Sequence, residues 1–115
     1  MGTDTAILET EMNRGFLQIL VLVALQQKAY GYKMLKSFEQ LGYAVEENTL
    51  YPILRRLEKN GWVKSEWDVS QDRPKKYYRI SPAGRQVRDR ALSQWNSQNE
   101  VLRSLLKENS RVSNT

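Results

Sequence analysis

The segment 48–67, NTLYPILRRLEKNGWVKSEW, constrains the fold more than any other part of the chain. Its apolar residues recur at the spacing of one helical face, which predicts a helix with one buried side: Leu50, Ile53, Leu54 and Leu57. Gly61 can adopt the left-handed conformation that ends a helix. The following residues, VKSEW, alternate apolar and polar side chains as a strand does. We therefore predict a helix that runs directly into a strand.

The other side of this predicted helix carries Tyr51, Arg55 and Lys59, with Pro52 and Arg56 beside them. From position 55 to position 79 the chain has eight Lys or Arg against four Asp or Glu, and its net charge is +5. A basic surface next to a helix favours an anionic partner such as nucleic acid. The alternative at this point is a core helix whose charged back faces only water.

Two residue types are missing from the chain, since it contains neither Cys nor His. Without Cys there is no disulfide and no thiolate metal ligand, and without His the commonest general base and zinc ligand is gone. No carboxylates stand at a spacing that suggests acid–base catalysis. We therefore predict that the protein is not an enzyme and has no cofactor, no metal site and no catalytic residues.

The most apolar run, residues 16–25, is far shorter than the ~20 residues that span a bilayer. It also lacks the basic start and the cleavage site of a signal peptide. We expect a cytoplasmic protein with no membrane partner.

The first helix is predicted at residues 12–27, preceded by loosely held residues 1–11. Its centre, LQILVLVAL, is apolar on nearly every side, and a helix of this kind must be covered all round. A second subunit is the natural cover, which would place Leu17, Leu20 and Val21 in a dimer interface. A strand is the alternative, because the run is rich in Val and Ile.

A turn is predicted at residues 29–31, followed by helix two at 32–41 and its end at Gly42. The inward side of helix two is predicted to carry Leu35, Phe38 and Leu41. Pro52 must lie near the first turn of helix three, because deeper in a helix it removes a hydrogen bond. That requirement places the N-cap at Asn48 or Thr49. Two helices joined by a short turn form a helix-turn-helix.

Two strands are predicted at residues 62–68 and 75–80, joined by a polar loop at 69–74. They form a β-hairpin with a basic tip: Arg73, Lys75 and Lys76. A helix-turn-helix followed by such a hairpin is a winged helix. The predicted fold is therefore mainly α with a small β-hairpin, and residues 1–80 form a DNA-binding domain.

Ser81 and Pro82 suit the start of a long last helix, as cap and first helical residue. We predict a dimerisation helix at residues 81–108 and a flexible tail at 109–115. An apolar stripe runs along this helix and should pack on helix one of a partner subunit: Val87, Ala91, Trp95, Leu102, Leu105 and Leu106.

Two stretches resemble signatures of the PadR family of bacterial transcriptional regulators. Residues 48–61, NTLYPILRRLEKNG, are similar to its helix three, and residues 76–84, KYYRISPAG, to the junction between its wing and last helix. Arg14-Gly15 and Tyr30-Gly31-Tyr32 also match, so that the resemblance covers about residues 12–106. The chain departs from the family at Asn48 and in the wing loop at residues 70–73, where the family often has Gly.

The resemblance implies a homodimeric winged-helix repressor that binds double-stranded DNA and is often released by a small molecule. The short C-terminus is similar to a compact subfamily that includes multidrug-responsive repressors, in which a tryptophan on the last helix stacks flat aromatic drugs. Trp95 stands in that position, with Leu92 and Asn99 as neighbouring candidates for binding an aromatic or cationic ligand. The alternative for Trp95 is an ordinary interface tryptophan.

The predicted DNA contacts come from helix two, helix three and the wing: Lys33, Lys36, Asn48, Thr49, Tyr51, Pro52, Arg55, Arg56, Lys59, Arg73, Lys75 and Lys76. Thr49, Tyr51 and Pro52 should lie closest to the bases, because recognition helices lead with their N-terminal end. Arg55 and Arg56 suit phosphates or a guanine edge, although the ring of Tyr51 has the alternative of packing inside the domain. Two other classes stay open, a winged-helix module that binds protein instead of DNA, and an RNA-binding module with aromatic side chains on its sheet.

Overall fold

Four α-helices and a small antiparallel sheet make up residues 4–113, the part of the chain that this computed structural model describes. The elements follow in the order α1 (Asp4–Ala24), β1 (Ala29–Tyr30), α2 (Gly31–Gln40), α3 (Glu47–Lys59), β2 (Val63–Asp68), β3 (Lys75–Ile80) and α4 (Pro82–Ser113). The strand order in the sheet is β1-β3-β2. The predicted class is confirmed, since the fold is a winged helix followed by a long C-terminal helix.

One hydrophobic core joins the first three helices to the sheet. The apolar face predicted for α3 is the buried one, because Leu50, Leu54 and Leu57 are each 0% exposed and Ile53 is 9% exposed. The remaining core residues come from α1, its exit, α2 and the three strands: Leu17, Val21, Leu22, Leu25, Ala29, Met34, Phe38, Val63, Tyr78 and Ile80. The core therefore fixes how α3 is rotated about its own axis.

Helix α1 differs from its prediction at both ends, since it begins at Asp4 instead of position 12 and ends at Ala24. Residues 5–11 contain no Gly or Pro and include Ala, Leu and Glu, which favour helix; positions 1–3 lie outside the described residues. Leu17 and Val21 are 2% and 0% exposed in the protomer's own core, so their assignment to a dimer interface is corrected. No described helix is long and apolar enough to cross a membrane.

The turn predicted at residues 29–31 is wrong. Ala29 and Tyr30 form strand β1, which pairs antiparallel with β3 through Ala29↔Tyr78 and Tyr30↔Tyr77, and Gly31 already belongs to α2. The chain instead reverses direction between Ala24, where α1 ends, and Ala29. The Ile80 N–H donates to the Leu25 carbonyl in this segment over 3.0 Å. This third strand attaches the helical part of the domain to the wing.

The buried face of α2 and the start of α3 also differ from the predictions. Leu41 is 77% exposed and does not face inward, whereas Met34 is 2% exposed. The N-cap of α3 is Glu46, since its carbonyl accepts hydrogen bonds from the N–H groups of Thr49 and Leu50, each over 3.0 Å. Pro52 therefore lies in the second turn, where the helix loses one backbone hydrogen bond.

The entry to α4 agrees with the prediction. The Ser81 hydroxyl accepts a hydrogen bond from the Gly84 N–H over 3.0 Å and donates to the Gly61 carbonyl over 2.6 Å. The end differs, because α4 continues to Ser113. Residues 109–113 are thus helical where a flexible tail was predicted, and positions 114–115 lie outside the described residues. Gly61 adopts φ +80°, as expected for the residue that ends α3.

Gly84 in the first turn of α4 should be sensitive to substitution, because an added Cβ would overlap the backbone carbonyl of Trp62. We expect Gly84→Ala to lower the free energy of unfolding by roughly 1–3 kcal/mol, the usual cost of overpacking. Urea denaturation measures the change. Gln86→Ala, at an exposed position in the same turn, should stay within about 0.5 kcal/mol of the parent; equal stability of both variants would contradict the contact.

Candidate nucleic-acid interface

The exposed face of α3 lies directly opposite its buried leucines. Four side chains follow one another along it at spacings of three or four residues, which places them in one row on a helix: Asn48, Pro52, Arg55 and Lys59. All four are exposed. Among the described residues, neither Arg55 nor Lys59 takes part in an ion pair. The helix thus presents two unpaired cations beside a small polar group, and we call this row the polar face.

Tyr51 lies on one flank of α3, half-buried, with its ring packed over the backbone of Gly31. A Cβ at Gly31 would come within 2.5 Å of the Tyr51 hydroxyl oxygen, so the start of α2 needs Gly to admit the ring. Burial, and to a lesser extent the Glu47 carboxylate, raises the pKa of Tyr51 above its ordinary value. The side chain therefore stays a neutral phenol, and the structure supports the alternative in which its ring packs within the domain.

Glu58, on the same flank, connects α3 to the wing. Its carboxylate accepts a hydrogen bond from the Ser65 hydroxyl, and its Oε1 lies 4.0 Å from Lys76 Nζ. That nitrogen also lies 5.6 Å from the centre of the Tyr78 ring. Lys76 thus lies on the inner side of the sheet beside Glu58, with 36% of its side chain accessible.

The tip of the wing presents Arg73 and Lys75, both exposed. Lys75 Nζ lies 4.8 Å from the centre of the Tyr30 ring. The loop that follows β2 is shaped without Gly, because the Asp68 carboxylate accepts hydrogen bonds from the N–H and hydroxyl of Ser70 over 3.0 and 2.6 Å. The same two bonds are the main reason that the pKa of Asp68 is lowered.

A pair of stacked tyrosines covers the outer side of the sheet. The rings of Tyr30 and Tyr77 have centres 4.0 Å apart, and their hydroxyls share a hydrogen bond, which is the main reason that the pKa of Tyr77 rises to about 12. Lys28 Nζ lies 4.4 Å from the centre of the Tyr77 ring and 3.7 Å from Glu66. The sequence analysis did not predict these contacts of Tyr30 and Lys28, because both depend on the pairing of β1 with β3.

The lysines of α2 occupy different surroundings. Lys33 borders a groove of about 340 Å³ between the end of α1 and α2. Lys36 is exposed, and its Nζ lies 5.5 Å from the centre of the Tyr32 ring. Of these two lysines, Lys33 borders a groove between helices and Lys36 does not.

The opposite flank of α3 carries Thr49 and Arg56, which border a groove between α1 and α3 of about 630 Å³. Asn48 and Pro52 of the polar face border the same groove. The predicted contacts of α3 therefore divide into a central row and two flanks with different neighbours.

The predicted ligand and dimer residues lie on α4. Trp95 is 44% exposed, Leu92 is half-buried, and the Asn99 amide donates to the Trp95 carbonyl over 3.0 Å. Further along, the helix exposes a run of apolar side chains, each 52–69% exposed: Val101, Leu102, Leu105 and Leu106. Val87 instead packs against the protomer's own core, and Ala91 is half-buried. Among the described residues no acidic cluster is arranged to hold a metal ion.

Comparisons with known proteins agree with this geometry. A family model described as the transcriptional regulator PadR-like family matches residues 19–90. A transcriptional regulator of Mycobacterium tuberculosis is 36% identical over 76 residues, which cover 65% of this chain and 71% of that protein. The crystal structure of a PadR family regulator from Eggerthella lenta superposes with a TM-score of 0.81 at 40% identity, covering 89% of this chain and 91% of that chain. A transcriptional regulator from Clostridium thermocellum gives 0.76 at 30% identity, covering 82% and 96%.

Proposed function

Because the chain belongs to the PadR-like family of transcriptional regulators, we propose that it is a homodimeric repressor of a pseudo-palindromic operator in double-stranded DNA. The polar face of α3 is the observation that carries this proposal. Its two cations are exposed and unpaired among the described residues, and the buried leucines behind them hold the helix in one orientation. A helix about 10–12 Å across fits the major groove, which is about 12 Å wide.

Roles in DNA binding follow from position on α3 and the wing. Asn48, Thr49 and Pro52 stand at the N-terminal end of the helix, which approaches base edges in this docking geometry. Arg55 is one turn further on and suits a guanine edge or a phosphate. The wing cations Arg73 and Lys75 suit phosphates, which position the protein without reading sequence.

Exposed apolar side chains on two helices support a homodimer. Helix α4 exposes the run that begins at Val101. Helix α1 exposes Leu8 and Met12 by 59% and 64%, and Gly15 on the same face has nothing within 4 Å of the position where a Cβ would stand. Large contiguous apolar patches mark interaction surfaces. A two-fold dimer would read half-sites about 10 bp apart, or a multiple of that distance.

A ligand site at the dimer interface is the second part of the proposal. Trp95 lies between the half-buried start of α4 and its exposed apolar end, and 44% of the residue is accessible. An aromatic face of this kind stacks with planar compounds. Leu92 would add apolar contact. The nearby Glu100 carboxylate already pairs with the Arg103 guanidinium over 3.3 Å, so the stacking surface of Trp95 carries the proposed site. Binding there would release the protein from its operator.

Operator binding is tested by enriching protein-bound duplexes from a randomised library, and by titrating DNA from upstream of the gene beside a scrambled duplex. We expect an enriched pseudo-palindrome that is bound at least ~10³-fold more tightly than the scrambled DNA. Equal, salt-sensitive binding to all duplexes would mean that the polar face contacts phosphates and does not read the DNA sequence. If no duplex binds at moderate salt, the chain is a protein-interaction module.

Arg55→Ala should weaken operator binding and flatten its dependence on salt, if the guanidinium contacts phosphate. Each lost phosphate contact lowers the slope of log K against log salt by about 0.9. If Arg55 reads a guanine, the loss is instead confined to the operator, at about 1–3 kcal/mol. Fluorescence anisotropy at several salt concentrations separates the two cases. Arg111→Ala, near the far end of α4, is the charge-matched control; parent-like binding by Arg55→Ala would remove this residue from the interface.

Leu105→Asp should convert the dimer into a monomer, because a carboxylate would be buried in an apolar interface without a partner. Sedimentation equilibrium measures the association, and circular dichroism checks that the helices persist. Asn96→Asp introduces the same charge at an exposed position on the opposite side of α4 from Leu105. A dimer of parent strength for Leu105→Asp would rule out this surface as the interface.

Trp95→Ala should weaken the binding of planar cationic dyes about tenfold, the effect of losing roughly 1.4 kcal/mol of stacking. Dye fluorescence titration of the dimer gives the affinity. Trp67→Ala removes a more accessible tryptophan, 62% exposed, from the wing and should leave dye binding unchanged. The platform is excluded if the Trp95→Ala dimer binds these dyes as tightly as the parent does.

A further inference from the structure

A helix that lies in the major groove has a sugar–phosphate backbone on each side. On one flank of α3 the wing supplies cations for such a backbone, Arg73 and Lys75. The other flank carries Arg56 and faces α1 across the groove of about 630 Å³. Since this reasoning takes DNA binding as given, it rests on the proposed function.

One side of helix α1 changes from apolar to polar residues where the helix forms the opposite wall of this groove. The side of α1 that is apolar in the core, with Leu17 and Val21, becomes polar one turn earlier, with Thr10 and Arg14 at the same helical spacing. These two polar residues and Asn13 border the groove. All three are exposed, so this end of the groove is open to solvent and can receive a polar partner.

The charges that border the groove favour an anion. Arg14 and Arg56 contribute two guanidinium groups, and neither forms an ion pair with the described residues. The Tyr43 hydroxyl donates to Asn13 Oδ1 over 3.1 Å. This bond uses the Asn13 carbonyl oxygen and not its amide N–H groups. Glu46 is the one carboxylate among the residues that border the groove. Two cations against one anion leave a net positive charge there.

We propose that the DNA backbone on the side away from the wing crosses this groove, and that Arg14 and Arg56, with Asn13, bind its phosphates. A guanidinium donates two parallel hydrogen bonds to a phosphate, and this is the strongest geometry available to either residue. The groove is continuous with the polar face, since Asn48 and Pro52 border it. Arg14 thereby becomes a DNA contact supplied by helix α1.

Arg14 positions the protein and does not read bases, because phosphates carry no direct sequence information. Helix α1 is anchored in the core three residues later by Leu17, which is 2% exposed. A phosphate bound between α1 and α3 would thus fix the tilt of the whole domain on the duplex. Contacts on both flanks of α3 would hold the recognition helix in register.

The experiment compares the parent dimer with Arg14→Ala, Arg14→Lys, Glu46→Gln and the charge-matched control Arg111→Ala. Each variant is titrated by fluorescence anisotropy against the enriched operator and a scrambled duplex at several salt concentrations. Arg14→Ala should weaken binding to both duplexes by about tenfold. Its salt slope should fall by about 1.8 per dimer, since each protomer loses one contact worth about 0.9.

The other variants test whether the effect comes from charge at the groove. Arg14→Lys keeps the charge and should keep most of the slope, whereas Glu46→Gln removes a repulsive charge and should tighten binding to both duplexes. Arg111→Ala should retain the parent slope. The inference is overturned if Arg14→Ala binds DNA with parent affinity and slope while the parent still discriminates the operator.

Two further outcomes are distinguishable. A parent dimer that fails to discriminate its operator contradicts the proposed function itself, whatever Arg14→Ala does. A variant Arg14→Ala that retains the parent salt slope but dimerises more weakly in sedimentation shows that the groove receives the partner subunit, which also overturns the inference.

Discussion

Burial of three leucines on α3 decides where every other side chain of that helix points. Leu50, Leu54 and Leu57 are each 0% exposed, and a rotation of about 100° per residue then determines the remaining directions. Residues half a turn away form the polar face, and the residues between go to one flank or the other. The distribution of exposed polar and basic groups on α3 is therefore a consequence of core packing, because a rotated α3 would expose leucine and bury arginine.

The wing-side flank shows how the rest of the domain maintains this arrangement. Tyr51 fits over Gly31 at the start of α2, and Glu58 accepts a hydrogen bond from Ser65 on β2. Strand β1 then connects the same start of α2 to β3 through the pair Tyr30↔Tyr77. Each ion pair or hydrogen bond at an accessible position is weak by itself, at about 0–1 kcal/mol. Together they restrict the wing to one orientation relative to α3.

Local features were predictable from sequence, and features set by distant partners were not. The buried face of α3, the strand Lys75–Ile80 and the cap by Ser81 follow from periodicity and capping chemistry within a few residues. Strand β1 was missed because two residues have no periodicity, and their pairing with β3 depends on residues far along the chain. Arg55 and Lys59 of the polar face were predictable for the same reason as the buried face, but Tyr51, which was predicted beside them, lies half-buried on a flank. The neighbours of Lys76 and Arg56 were not predictable from sequence. Nothing in the sequence shows that Glu58 reaches Lys76 on the wing, and α1 lies more than thirty positions before Arg56.

Helix α1 meets three different environments along its length, which gives it a central place in any response to a ligand. One side packs in the core through Leu17 and Val21, its N-terminal half borders the groove beside α3, and Leu8 and Met12 face outward. Helix α1 also packs against α4 within the protomer. A ligand bound near Trp95 changes DNA affinity only if it prefers one arrangement of the two DNA-binding domains over another. If the proposed ligand site is correct, a displacement of α4 would reach α1 through their packing contact, and α1 forms one wall of the groove beside α3.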